Sequence, residues 1–312
     1  MEMSLATTMP IMVVQIVAMF MMMAVGAACF KVGFITKEGS RVLTNISCYV
    51  SMPAVIVRAL AAKFDPDVAA NVAGVVVVTC ILMVVSIVIA RVAYGADGNR
   101  VAQVGVIVSN MGFVAIPLVE HVIGPDYVIY ISAVIAVQVL FIWTYCVWLI
   151  SGDAKNVSAK KIVTNPTIIS VAIGFAMFFC SYELTGVLES FVDGIADLNT
   201  GVGMLLLGVF LAQSDLRSLI RTRSIYKANV LRLLVVTGIS AVVLAFSPLS
   251  IACKAVVLIA FAAPCGTISC MLSQLFGGDY RYGAGMVTIS TLLSLITMPL
   301  MLMLGLMLFN LV

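Results

Sequence analysis

Long apolar runs alternate with short polar interludes from one end of the chain to the other. Ten such runs can be drawn, near residues 10–30, 41–62, 69–93, 101–122, 127–150, 166–182, 189–213, 228–247, 250–276 and 283–309. About 20 helical residues cross a hydrocarbon layer about 30 Å thick, so each run can span it, the longer ones with tilt or a break. The pattern predicts an all-α polytopic membrane protein with ten transmembrane helices.

The interludes carry the orientation signal. With the amino terminus outside, the inner loops hold thirteen Lys and Arg residues, among them Lys31, Lys37, Arg91, Arg100, Lys160, Arg217, Arg221, Lys227 and Arg281. The outer side holds only Arg58, Lys63 and Lys254, and Arg232 stands inside the eighth run, where it is expected to snorkel to the inner face. Basic residues favour the cytoplasmic side, so both termini are expected outside. The basic loop 151–164 divides the runs into two sets of five, 1–150 and 165–312. An odd number per set forces the sets into opposite orientations, the arrangement of an inverted repeat. Met9–Pro10 opens the first run and Asn165–Pro166 the sixth, 156 residues apart; Pro117 and Pro264 lie inside the fourth and ninth, 147 apart.

These last two prolines interrupt runs that otherwise read as ordinary spans. Proline has no N–H to donate and its ring strains against the carbonyl four residues earlier, Phe113 or Ala260 here. Around Pro117 lie Asn110, Met111 and Gly112; Pro264 is followed at once by Cys265, Gly266, Thr267 and, two further on, Ser269. Freed backbone groups in hydrocarbon are tolerated only against protein or a water-filled cavity, and two breaks in corresponding runs point to a midplane binding site. The second half-helices would begin there with unpaired N–H groups and about half a positive charge each, which suits a carboxylate. The first half-helices would end there with carbonyls that suit a coupling cation, so the dipoles alone leave the ligand's sign open. A single proline kink is the plainer reading of either break; their pairing favours a site.

Composition agrees and narrows the classes. The chain has 312 residues, 63% hydrophobic and 10% charged, far from the balance of a soluble domain. The net charge of +3 sits in short loops with no basic-aromatic patch, which argues against nucleic acid as a partner. The start, MEMSLATTMP, lacks a basic region and reads as a retained first helix rather than a cleaved signal. Eight scattered cysteines form no CxxC pair and read as apolar filling, and the lone histidine, His121, has no partner at metal-ligand spacing. No metal, no cofactor and no catalytic residues are expected; an intramembrane enzyme would need paired acids or a Ser/Lys or Ser/His dyad at membrane depth, and only Asp197 qualifies even as a candidate.

The segments around the breaks carry a resemblance. SNMGFVAIPLVEHVIGPDY (109–127), LTNISCYVSMPAVIVRAL (43–60), MLLLGVFLA (204–212), AAPCGTISCMLSQLFGGD (262–279) and STLLSLITMPLML (290–302) resemble helices four, two, seven, nine and ten of the auxin efflux carrier family. That family includes plant PIN-type auxin exporters and bacterial malate or malonate permeases. The resemblance implies two inverted five-helix repeats, helices four and nine crossing in a transport domain, a scaffold of helices one, two, six and seven, elevator-type alternating access, and a homodimer joined through the scaffold. Cys265 and Gly266 stand where many relatives have a second proline or an asparagine. The expected function is therefore secondary transport of a small organic anion across a bacterial cytoplasmic membrane; the alternatives are a sodium- or proton-coupled carrier of another amphipathic solute, or a channel or sensor of the same fold, which the two broken helices favour less. Asn110, Met111, Gly112, Pro117, Pro264, Cys265, Gly266 and Thr267 would form the substrate site, with Asn45 and Ser47 facing it from the second helix.

Other polar positions stay open. Glu189, Asp193 and Asp197 share a helix face, either an access path for a cation or proton or a solvated first turn. Asp197, Glu120 and His121 are the candidates for coupling to a proton or sodium. Arg58 either steers anions or snorkels. Ser290, Thr291 and Ser294 either line a cavity or bond to neighbouring helices.

Overall fold

Capping residues set the helix boundaries where polar interludes meet apolar runs. The side chains of Asp65, Asn99, Asn165, Ser250 and Asp279 each accept from a backbone N–H in the first turn that follows, and Pro66 and Pro166 take the first helical position, where no N–H is needed. At the other ends Gly95, Gly152 and Gly277, with φ of 74°, 71° and 76°, close three helices in a backbone conformation that L side chains rarely adopt. The computed structural model describes residues 5–95, 98–213 and 222–311. Arg217 and Arg221 of the basic inner loop, and the first four residues of the amino-terminal segment, lie outside the described residues.

The helices in chain order are α1 (Leu5–Lys31), α2 (Lys37–Leu60), α3 (Pro66–Tyr94), α4 (Arg100–Ile107), α5 (Met111–Val122), α6 (Pro125–Ser151), α7 (Pro166–Phe179), α8 (Val187–Gln213), α9 (Arg223–Ala245), α10 (Ile251–Ala262), α11 (Ile268–Phe276) and α12 (Tyr280–Phe309). A short turn of helix, Ala159–Val163, lies in the loop between α6 and α7. Among the described residues, seven of these are long and apolar enough to cross a membrane: α1, α2, α3, α6, α8, α9 and α12. The short ones include the halves of the runs expected at 101–122 and 250–276, each split by a few extended residues. The structure is thus a nearly all-helical, multi-pass membrane protein.

Two groups of helices emerge from the contacts. α1 lies along α8, and α2 packs on α7 and on the start of α8. The α1–α8 approach is backbone to backbone: a Cβ on Gly26 would strike the Leu205 carbonyl, and one on Gly208 the Met23 carbonyl. Small residues at a lipid-embedded interface allow such contact. The second group holds α3 against α6, and α10 and α11 against α12. Of the seven long helices α1 is the least buried and α6 the most, so α6 runs through the interior while α1 leaves much of its surface open.

Wider turns interrupt the regular helices at 47–51, 111–115, 142–146 and 231–236, each a π-type turn. Such turns are rare in α-helices and recur at functional positions. Three of the four bring in Ser47, Met111–Ala115 and Arg232.

Candidate functional site

Where α4 ends, Val108 adopts an extended conformation (φ −100°, ψ 129°), and Ala263 does the same beyond α10 (φ −59°, ψ 148°). The two extended pieces meet antiparallel, with Ser109 opposite Cys265. The Asn110 N–H donates to the Pro264 carbonyl at 2.8 Å, and the Gly266 N–H donates to the Val108 carbonyl at 3.0 Å. Each break therefore satisfies part of the other's exposed backbone, as hydrocarbon requires. Gly266 has no room for a side chain: a Cβ there would lie 2.9 Å from Val108 Cγ1 and 3.1 Å from the Ser109 carbonyl oxygen.

Ser109 and Cys265 are 156 positions apart, the same offset as the Pro10 and Pro166 landmarks. The prolines are consequently not equivalent, which corrects the reading that placed the fourth-run break at Pro117. Pro264 sits in the break itself. Pro117 lies inside α5, after the π-type turn. That turn explains how the proline is tolerated. The Ile116 N–H donates to the Met111 carbonyl, five residues back. In this register residue 117 would donate to Gly112, and proline cannot. The Gly112 carbonyl accepts instead from Asn199 Nδ2 on α8, at 3.1 Å.

Polar side chains from neighbouring helices complete the crossing. Gln138 of α6 clamps Ser109: its Oε1 accepts from the Ser109 N–H and Oγ, both at 3.1 Å, and its Nε2 donates to the Ser109 carbonyl at 2.9 Å. The Cys265 N–H donates to Ser290 Oγ of α12 at 3.1 Å, and the thiol lies 3.6 Å from Asn229 Oδ1 of α9. Arg232, fully buried, lies beneath. Its Nη2 donates to the Phe261 carbonyl at 3.0 Å, and its Nη1 and Nε reach the Val106 and Ala263 carbonyls at 3.4 Å. The expectation that Arg232 snorkels to the inner face is thus corrected: the π-type turn at 231–236 holds it among the ends of α4 and α10.

Some buried donors remain unused, two of them, on Asn110 and Asn229, at the crossing. Asn110 is 5% exposed and its Nδ2 has no partner; Ser47 Oγ and Asn229 Nδ2 are likewise buried and unpaired. Buried polar atoms are almost always satisfied, so an orphaned amide beside a helix start calls for an explanation. α5 begins at Met111 and α11 at Ile268, with Thr267 as its cap residue, so two helix starts with their partial positive charge adjoin the crossing. The expectation that these starts hold unpaired N–H groups is corrected for α11, where the Ser269, Cys270 and Met271 N–H groups donate to the Gly266 and Thr267 carbonyls.

The remaining expected residues divide. Met111 is buried and Gly112 half-buried, packed so that a Cβ would lie 3.0 Å from Met52 Sδ. Asn45 is exposed on α2, whereas Ser47, two residues on and towards the other side of the helix, is enclosed. Glu120, His121 and Asp197 stand away from the crossing. Arg58 Nη2 pairs with Glu120 at 2.8 Å and its Nη1 with Asp197 at 2.8 Å, with Asp193 at 4.0 Å. The Asp197 side chain is 72% exposed, not sunk in apolar surroundings as its position in the run implied. His121 Nδ1 lies 2.8 Å from the Pro117 carbonyl, which can only accept, so Nδ1 carries the proton and Glu120 is bound to Arg58 rather than to His121. Ser290, Thr291 and Ser294 all donate within their own helix, and only Ser290 also reaches the crossing. Gln138, Asn199, Asn229 and Arg232 were not among the expected site residues. Their signal is a strong polar side chain within an apolar helix, costly in hydrocarbon and therefore retained for a bond or a function.

Helices that span a bilayer and break together at a polar crossing define a membrane transporter. The sequence pattern of the family described as "Membrane transport protein" matches residues 11–302, nearly the whole chain. The chain belongs to this family, which includes auxin efflux carriers and related permeases. No curated protein matches it individually.

Proposed function

We propose that the protein is a secondary carrier of small organic anions, carboxylates in the first place, which bind at the crossing of the two broken helices. The observation that carries this reading is the orphaned Asn110 amide at the start of α5, beside the hydrogen-bonded breaks at Ser109 and Cys265. A carboxylate there would accept from Asn110 Nδ2, beside two helix starts whose dipoles favour negative charge. Charge-assisted bonds of this kind are about twice as strong as neutral ones.

The proposed movement is of the elevator type: the group around the crossing slides against α1, α2, α7 and α8. The contact pattern supports an inverted repeat. A pseudo-two-fold exchange of the two halves would swap α1 with α7 and α2 with α8, and it leaves the observed α1–α8 and α2–α7 pairs unchanged as a set. The common offset of 156 residues between Pro10 and Pro166 and between Ser109 and Cys265 supports it further. We place both termini outside a bacterial cytoplasmic membrane, and we take α1, α2, α7 and α8 as the joint of a homodimer. Lys227 Nζ, 2.6 Å from the Ala93 carbonyl, keeps two of the basic loops at the same end of the molecule, in line with that orientation.

The test is uptake of radiolabelled mono- and dicarboxylates by proteoliposomes under imposed proton, sodium and potential gradients. Saturable flux of at least one carboxylate, abolished in protein-free vesicles, is expected. Failure of every carboxylate to move or to stabilise the purified protein would overturn the substrate class.

A further inference from the structure

Arg232 presents a charge that the crossing must balance. It is fully buried, and among the described residues no carboxylate lies within ion-pair distance of it; the four ion pairs there are Arg58 with Glu120, Asp193 and Asp197, and Lys63 with Glu183. A guanidinium stays protonated in proteins, so the charge is permanent. An uncompensated buried cation is costly enough to be retained only for a partner or a purpose. Its hydrogen bonds go to backbone carbonyls, and its guanidinium carbon lies 5.8 Å from the centroid of the Phe261 ring, a weak further contact that carries no countercharge. Val106 belongs to the last turn of α4, Phe261 to the last turn of α10, and Ala263 to the residue just beyond it. Each helix end carries about half a negative charge, so two of them together match one guanidinium.

Unwound backbone carbonyls at the ends of half-helices are the groups that hold coupling cations in carriers with broken helices. In this chain they face Arg232. Thr237 Oγ1 lies 3.0 Å from the Phe261 carbonyl and 3.2 Å from the Arg232 carbonyl, so its one proton is shared between a cage oxygen and the backbone of Arg232 itself.

We propose that Arg232 is the built-in cation of the crossing: it fills the carbonyl cage in place of a sodium ion and leaves the opposed starts of α5 and α11 unbalanced, so that the site takes one negative charge with no co-bound cation. The second half of this statement rests on the anion-carrier reading above. Two helix starts of about half a positive charge each sum to about one, and the unpaired Asn110 amide, 5% exposed, adds donors but no charge. A monoanion neutralises that total, whereas a dianion leaves a net negative charge in a low-dielectric place. Arg232 is then a positioning residue, acting on the ligand through the two helix ends that it neutralises.

Two independent measurements test this. The first needs no transport. The thermal stability of the purified protein in detergent is followed while choline chloride is replaced by sodium chloride at constant ionic strength. Wild type is expected to show no saturable shift. Arg232→Ala is expected to melt lower in choline and to recover with millimolar guanidinium or sodium. A saturable sodium shift in wild type, or an Arg232→Ala variant that melts like wild type with no cation response, would overturn the proposal. Should Arg232→Ala fail to fold, Arg232→Lys and the wild-type sodium titration still decide, with the lysine variant expected to fold and to remain sodium-insensitive.

The second measurement compares benzoate, a monoanion, with malonate, a dianion, at neutral pH in proteoliposomes. Benzoate is expected to be taken at least tenfold better, with flux unchanged when choline replaces sodium and one negative charge moved per molecule. Arg232→Lys should keep flux within about threefold, and Arg232→Ala should lose at least tenfold, with part restored by guanidinium. A preference for malonate would refute the single-charge site while leaving the carbonyl cage to the melting experiment. If neither anion moves, the same comparison is made with a monoanion and a dianion that the wider flux screen shows to be carried; if that screen finds none, the anion-carrier reading fails and the melting experiment still judges Arg232.

Discussion

The Gly112 carbonyl shows how one residue's chemistry creates a demand that another, far along the chain, must meet. Pro117 cannot donate to it, and Asn199 does, at 3.1 Å. Replacing Asn199 by leucine would leave that carbonyl unpaired away from water, at a cost of about 1–3 kcal/mol. Pro117→Ala returns an N–H to the position five residues on, so the loss should shrink when the two changes are combined. Chemical or thermal melting of the two single variants and the double variant measures this coupling; strictly additive losses would disprove the link. Asn110 makes a separate prediction because its amide has no protein partner to lose. Asn110→Ala should leave melting within about 0.5 kcal/mol of wild type, and in the proposed carrier it should weaken carboxylate binding about tenfold, the worth of one charge-assisted bond. Isothermal titration with the transported acid reads the second effect, and unaltered affinity would remove Asn110 from the site.

At the scale of helices, close approach rather than bonding controls the outcome. Gly266 lies against the Ser109 backbone, where a Cβ would come within 3.1 Å of the carbonyl oxygen. Gly266→Val should therefore force the two extended segments apart and break the bonds on both sides, with a destabilisation of about 2–4 kcal/mol and loss of transport. Gly194, with nothing near its missing Cβ, is the matched control, and Gly194→Ala is expected to be silent. This also marks how far the sequence could be read. The apolar runs located the helices, because a change in polarity along the chain is a local property. The two interruptions were legible for the same reason: Asn110–Gly112 and Pro264–Thr267 are short polar clusters where none is expected. What each helix faces was not legible, since an amphipathic stripe tells direction only when one side meets water. Gln138, Asn199 and Arg232 sit in helices apolar on most sides, and nothing local says that they point at the crossing. Pro117 misled because a proline was equated with a break, whereas a π-type turn absorbed it and the break fell at Val108–Asn110.

For the whole molecule, the decisive contact is the one that a sliding movement must break. Arg58 on α2 binds Asp197 on α8, which packs with it in the same group, and also binds Glu120 on α5, which belongs to the crossing. If α5 travels relative to α1, α2, α7 and α8, the Arg58–Asp197 bond persists through the cycle while the Arg58–Glu120 bond forms at one end of it only. The pair is about one quarter exposed on each side, so its worth is at most about 1 kcal/mol, and less at high salt. Glu120→Gln should therefore bias the two end states by no more than about fivefold and leave melting nearly unchanged. Cross-linking gives the sharper distinction. In a chain whose half-exposed Cys29, Cys80 and Cys270, exposed Cys180, and Cys48 are replaced by serine, cysteines at 58 and 120 can be joined by a thiol-reactive linker as long as the two side chains they replace. The joined protein should stop transporting and regain flux when a cleavable linker is cut. Cysteines at 58 and 197, joined in the same way, should leave transport intact, because both ends stay within one rigid group. Full flux in the first cross-linked protein would mean that α5 does not move against α2. Loss of flux in the second would mean that α2 and α8 themselves part company during the cycle, and the boundary between moving and fixed helices would then have to be redrawn between them.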